Sequence, residues 1–296
     1  MTAINANRIT IEYEESGHSS NPAIILIRGL GTQLIDWPKE FIEGLVKRDF
    51  RVIYHDNRDV GLSTKFEDAG IPDVEAAMIK VAAGETVEPV YTIDDMALDV
   101  IGLMDALSIS KAHVLGISMG GAIAQKLAAK HADRVRSLIS IMSGSGNPDL
   151  PRGKPEAIEA LLSSPQDPHD RDSIIAHGTK LLGILGSPGY PESEETRRQI
   201  YTARYERCYY PPGIARQKMA ILADGSRVEL LKTITVPTLV IHGLDDPLVP
   251  VEAGRETAAL IPNAELEIIE GMGHNIPGPL VPRLVKLIAD HAAAHG

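Results

Sequence analysis

Ser118 stands in Gly116-Ile117-Ser118-Met119-Gly120, after the apolar run Ala112-His113-Val114-Leu115 and before a helix-like stretch from Gly120 to about Ala129. A strand, a G-x-S-x-G turn and a helix in that order hold a serine in strained backbone geometry, with its hydroxyl presented above a sheet. The glycines are needed because a side chain at either place would collide with the neighbouring strand and helix. A serine hydroxyl is hardly ionised at neutral pH, so attack on a carbonyl needs a base within hydrogen-bond reach, and neutral imidazole is suited to that task. The imidazole in turn needs an acceptor on its other nitrogen, to fix its tautomer and stabilise the imidazolium. Both partners occur downstream. The apolar run Pro237 to Gly243 ends in Leu244-Asp245-Asp246-Pro247, which puts two carboxylates at the end of a strand, competing for one role. Of the ten histidines, His274 follows Gly271 and Gly273 on a loop after the short strand Ala264 to Ile269, while the others fall in strands, helices or ordinary loops.

The order Ser, Asp, His, together with Arg28-Gly29-Leu30-Gly31 and Asp56-Asn57-Arg58-Asp59-Val60-Gly61-Leu62-Ser63, resembles the α/β-hydrolase superfamily from about residue 8 to residue 290. Within it the chain looks most like bacterial esterases of the aclacinomycin methylesterase kind. The resemblance implies catalysis by Ser118, Asp246 and His274, since the family spacing G-x-x-D counted from Gly243 selects Asp246 and leaves Asp245 as a loop neighbour. It also implies an oxyanion hole made of the backbone N–H groups of Met119 and Leu30. Haloalkane dehalogenase and epoxide hydrolase chemistry is disfavoured, because those families carry aspartate where this chain has Ser118. One departure stands out: Arg28 occupies the place of the family's usual histidine. It is read as a structural arginine pairing with a carboxylate such as Asp56, in preference to a clamp for an acidic substrate group, because an unpaired buried charge is costly. Arg58 with Asp56 and Asp59 is read as a similar structural knot.

The elements that must position these residues alternate along the chain. Ile9 to Tyr13 reads as an early antiparallel edge strand; Ala23 to Ile27, Arg51 to Tyr54 and Ser137 to Met142 read as buried strands. Helices are expected near Phe41 to Lys47, Ile93 to Leu107, Glu252 to Leu260 and Val281 to Ala293. This alternation predicts an α/β fold, with a mostly parallel central sheet, helices on both faces and ligands bound at the carboxyl ends of the strands. Residues 145–230 interrupt it with helical stretches broken at Ser163-Ser164-Pro165, Gly186-Ser187-Pro188-Gly189 and Pro211-Pro212-Gly213. They read as a helical cap between two parts of the core, 1–144 and 231–296. Tyr201, Tyr205 and Tyr209 recur every four residues and are expected on one helical face. The stripe is read first as packing between cap and core, and second as an aromatic roof over substrate. Trp37, Tyr205 and Met272 are the expected substrate contacts.

Composition narrows the function classes. With 44% hydrophobic and 23% charged residues the chain is an ordinary globular mix of a size that can bury a large core. A formal net charge of -11 argues against nucleic acid or an anionic membrane surface as partner. The single cysteine, Cys208, cannot form an internal disulfide and reads as a packed cap residue. The first residues contain no apolar signal region and no run reaches membrane-spanning length, so a cytoplasmic location is the default expectation. The leading expectation is a serine hydrolase acting on a small-molecule carboxylic ester or lactone through an acyl-enzyme, with no metal or organic cofactor. Hydrolysis of a carbon–carbon bond or amide, perhydrolase activity, and a ligand receptor with vestigial turnover are the alternatives.

Overall fold

A strand that is apolar at every position needs a covering layer on each side, and Ala23–Ile27 has both in the computed structural model, which describes residues 2–296. The strands are β1 (Thr2–Ala6), β2 (Ile9–Ser16), β3 (Ala23–Ile27), β4 (Arg51–His55), β5 (Ala112–Ile117), β6 (Val135–Ile141), β7 (Thr238–Gly243) and β8 (Glu265–Ile269). They form one sheet in the order β1-β2-β4-β3-β5-β6-β7-β8, antiparallel from β1 through β2 to β4 and parallel elsewhere. The α-helices are α1 (Lys39–Val46), α2 (Val74–Ala82), α3 (Ile93–Ala106), α4 (Met119–Lys130), α5 (Pro155–Leu162), α6 (Arg171–Leu185), α7 (Glu194–Arg207), α8 (Pro211–Asp224), α9 (Val228–Leu231), α10 (Val251–Leu260) and α11 (Val281–Ala294).

The two-residue period of the strands sorts the core into two layers. Ile25, Ile27 and Val114 pack with Val100 and Leu103 of α3 and Ile123 and Leu127 of α4. Ile24, Leu26 and Leu115 pack on the opposite face with Phe41 and Leu45 of α1 and Leu284 and Ile288 of α11. The turn after β5, the loop after β7 and the loop after β8 then open at the same end of the sheet, the carboxyl ends of its parallel strands. Those three connections carry Ser118, Asp246 and His274.

Helices α5 to α9 all fall between β6 and β7. Their starts follow local chemistry. The Asp170 and Ser193 side chains accept backbone N–H groups at the heads of α6 and α7. Pro211-Pro212 opens α8 instead of breaking a helix, as suits proline at the first helical positions, where no N–H is required. Two further expectations change. Ile9–Ser16 is not the sheet edge, because β1 pairs along its outer side from Ala6↔Ile9 to Thr2↔Tyr13. Helix α7 ends at Arg207, so Tyr209 lies beyond it, although its ring still meets that of Tyr205 at 5.4 Å. Helix α2, capped by the Asp73 carboxylate, has no counterpart in the sequence reading. Among the described residues, no helix is long and apolar enough to cross a membrane.

Candidate active site

Ser118 joins β5 to α4 with φ 54° and ψ -123°, a conformation that non-glycine residues rarely adopt and that persists only where the surroundings impose it. The surroundings are the glycines. A Cβ on Gly116 would overlap the Gly120 carbonyl, and one on Gly120 would overlap the Ile27 carbonyl of β3. Strand and helix therefore close on each other, and the Ser118 side chain stands at the carboxyl end of the inner strand β5.

His274 Nε2 lies 2.9 Å from Ser118 Oγ, and its Nδ1 lies 2.7 Å from Asp246 Oδ2. With Asp246 ionised, Nδ1 carries the proton it donates to the carboxylate, so Nε2 is free to accept from the serine hydroxyl. The other oxygen of Asp246 accepts the backbone N–H groups of Leu248 and Val249, each at 2.9 Å. Burial works to raise the Asp246 pKa. The neighbouring His274, the Val249 N–H and His242 together outweigh it, and the carboxyl titrates below the ordinary aspartate range. His242 stands 3.7 Å from the same carboxylate, and its Nε2 bonds the Val249 carbonyl at 2.8 Å. A carbonyl can only accept, so that nitrogen is the protonated one, and burial lowers the His242 pKa and keeps the ring neutral. Asp245 turns away: its Oδ2 accepts the Gly271 N–H at 2.8 Å and ties together the loops after β7 and β8.

The Arg28 to Gln33 loop runs beside Ser118, so close that a Cβ on Gly29 would stand 3.1 Å from that of Ser118. Its Leu30 N–H and the Met119 N–H, first in α4, have no protein acceptor among the described residues. The loop is fixed by residues the sequence reading did not single out. Gln217 of α8 is fully buried; its Oε1 accepts the Gly31 N–H at 2.9 Å and its Nε2 donates to the Arg58 carbonyl at 2.8 Å. Asn57 Nδ2 donates to the Arg28 carbonyl at 2.9 Å. The His274 loop is held in a similar way, with His274 N–H bonded to the Leu185 carbonyl at 2.8 Å and Gly273 N–H to Ser187 Oγ at 2.9 Å. An amide in the middle of a helix offers no local sign of these bonds.

Ser118 and His274 open into a cavity of about 1480 Å³ between the carboxyl ends of the strands and helices α5 to α8. Its wall includes Leu30, Met119, Trp37, Tyr205 and Tyr209. Met272 does not belong to it. Its side chain is fully buried in the core beneath the sheet, and its carbonyl accepts the Asp245 N–H at 3.1 Å, so nearness to His274 in sequence misled the expectation. Tyr201 serves partly as packing, since its ring fills the space over Gly178 of α6. Cys208 is half-buried and also borders the cavity.

The expected ion-pair knot is assembled differently. Asp56 pairs with Arg207 of α7 at 2.7 Å and accepts Leu34 and Leu62 N–H groups, not Arg28. Arg58 grips Asp99 of α3 through two bonds of 2.6 Å, and Asp59 takes Arg216 of α8 through bonds of 2.8 and 2.9 Å. A separate group, Glu265, His291 and His295, has ligand atoms within 4.8 Å of one another and could hold a metal ion; it lies on β8 and the end of α11, away from the cavity.

The chain belongs to the α/β-hydrolase fold family, whose model matches residues 22–277. It is 26% identical over 310 residues to the rhodomycin D methylesterase of Streptomyces peucetius, covering 98% of this chain and 97% of that protein. It is also similar to the crystal structure of an enol-lactonase from Burkholderia xenovorans, with a TM-score of 0.75 and 25% identity across 99% of this chain and 100% of that one. A meta-cleavage product hydrolase from Pseudomonas fluorescens shares the fold with a TM-score of 0.77 at 22% identity, over 100% and 98% of the two chains.

Proposed function

We propose that this protein is a serine hydrolase of carboxylic esters or lactones, with Ser118 as nucleophile, His274 as base and Asp246 as the residue that orients His274. The observation that carries the reading is the unbroken relay from Ser118 Oγ to His274 at 2.9 Å and on to Asp246 at 2.7 Å, beside two unengaged N–H donors. Ser118 Oγ attacks the substrate carbonyl and its proton passes to His274 Nε2. The Leu30 and Met119 N–H groups meet the oxygen that becomes negative, the kind of contact whose loss costs about 10²–10³ in rate. Collapse of the tetrahedral intermediate breaks the carbon–oxygen bond, and His274 returns the proton to the departing alkoxide. Water then attacks the acyl-enzyme, giving its proton to His274 and releasing the acid and Ser118. Asp246, held ionised by its hydrogen bonds, stabilises the imidazolium in both halves.

Residues 145–230 form a cap on this reading, and the cavity beneath it, at about 1480 Å³, exceeds the about 300–1,000 Å³ of sites for drug-sized ligands and so leaves room for a bulky ester or lactone. Similarity to a methylesterase and to an enol-lactonase supports acyl–oxygen cleavage. The test is turnover of p-nitrophenyl esters and of lactones by the wild type and Ser118→Ala, with fluorophosphonate labelling. A wild type that hydrolyses neither class, or labelling that persists in Ser118→Ala, sinks the proposal.

A further inference from the structure

Four arginines are buried among the described residues, Arg28, Arg58, Arg216 and Arg227, and three of them have carboxylates: Asp99, Asp59 and Asp224. Arg28 has none. It is 8% exposed, its Nε donates to Thr32 Oγ1 at 3.3 Å, and its guanidinium lies 4.8 Å over the Trp37 ring. Neither terminal nitrogen, Nη1 or Nη2, meets a protein acceptor, and neither is sealed inside packed protein. Arg28 borders the same cavity as Ser118 and His274. The carboxylate nearest in electrostatic effect, Asp36, is committed elsewhere, to Arg204 Nε at 2.5 Å and to the Gln33 N–H at 2.7 Å. Burial lowers the Arg28 pKa to about 10 against the pull of Asp36, with Arg204 lowering it further, so the group remains charged at neutral pH. A buried cation without a counter-ion is unfavourable, and an arriving anion removes that penalty.

We propose that Arg28 is an anion-recognition subsite of the cavity, and that the preferred substrates are esters or lactones bearing a second, free carboxylate. This rests on the hydrolase reading above. A planar guanidinium with two free nitrogens matches a carboxylate through a two-pronged bond. The buried Arg28 guanidinium, with Asp36 and Glu40 also on the cavity wall, suits one negative charge better than a doubly charged phosphate.

The test compares p-nitrophenyl hemisuccinate, hemiglutarate and hemiadipate with the butanoate, pentanoate and hexanoate esters, which replace the distal carboxylate by methyl. The wild type should favour at least one anionic ester over its neutral counterpart by about tenfold or more in kcat/KM. Arg28→Met should lower kcat/KM for that ester by at least about tenfold more than for its counterpart, and Arg28→Lys should fall between, keeping the charge without the fork. Arg28→Met should also raise Tm, because it deletes an unpaired buried charge. No preference for any anionic ester, or equal losses for both members of a pair, overturns the subsite. Absence of turnover for every ester refutes the hydrolase reading instead, and the subsite is then decided by binding: succinate, glutarate or adipate should raise the Tm of Ser118→Ala and fail to do so in Ser118→Ala/Arg28→Met. If none stabilises Ser118→Ala, the subsite is excluded. Should Arg28→Met fail to fold, the wild-type preference and Arg28→Lys still decide.

Discussion

Replacing Asp246 with asparagine changes one atom, and the two oxygens of this carboxylate already have separate duties. Oδ1 accepts the Leu248 and Val249 N–H groups, and Oδ2 accepts His274 Nδ1–H. Asparagine has one acceptor oxygen, and the two fixed backbone donors claim it, so the amide nitrogen points at His274. It can only donate there, which forces Nδ1 to become the acceptor and puts the imidazole proton on Nε2, facing Ser118. The base then has no lone pair for the serine hydroxyl. The corresponding change in a trypsin-type triad costs about 10⁴ in kcat, or about 5.5 kcal/mol at 1.36 kcal/mol per decade. The fold should survive, because the backbone bonds to position 246 are kept. Asp245→Asn is the control, since its one bond, from the Gly271 N–H, can be accepted by an amide oxygen equally well; the expected loss is within about tenfold. Steady-state kinetics and thermal melts on both variants decide the matter. Equal losses, or a larger loss for Asp245→Asn, would refute the assignment of the relay to Asp246.

Ser118→Ala should remain folded and lose about 10⁴ or more in hydrolysis, with fluorophosphonate labelling abolished. Gln217→Ala frees both the Gly31 N–H and the Arg58 carbonyl and, on the proposed mechanism, in which the donors of this loop meet the developing oxyanion, should lower kcat about tenfold to a hundredfold while KM changes less. Tyr201→Ala should lower Tm and slow all esters alike through the void over Gly178, whereas Tyr205→Ala should lower kcat/KM more for bulky esters than for acetates; the reverse pattern would exchange their roles. Burial depresses the His55 pKa to about 4, so between about pH 6.5 and 4 the unfolded chain binds a proton that the folded protein does not. Stability contributed by neutral His55 is therefore complete above about 6.5 and declines as pH falls through that window, by up to about 1.4 kcal/mol per pH unit, and His55→Gln should flatten the slope measured by urea titration.

Local signals were enough for the inner strands of the sheet and for the serine turn. β3, β4, β5 and β7 read as strands because each is a short, nearly unbroken apolar run, and the serine turn because glycine spacing is a backbone requirement written directly into sequence. The partners of charged residues were not legible. Asp56, Asp59 and Arg58 are neighbours in the chain, yet their bonds go to Arg207, Arg216 and Asp99, on three helices distant in sequence. Met272 shows the opposite error, since a residue two positions from His274 points into the core. β1 was missed because its outward residues are exposed and its sequence, Thr2 to Ala6, carries little alternation.

The bonds of Gln217 and of Leu185 and Ser187 bear on how this architecture can be altered. The inserted helices supply the struts for both loops that flank Ser118, and they are stitched to the core by Arg207–Asp56 and Arg216–Asp59 as well. They are thus not an interchangeable accessory laid over a finished site. A chimera that received another protein's helices between β6 and β7 would lose the supports of the loops around Ser118 along with the shape of its cavity. In this chain, room to retune selectivity by recombination lies in α5 and the cavity-facing side of α6, whereas a replacement for α8 would have to keep the Gln217 bonds to the loops it braces.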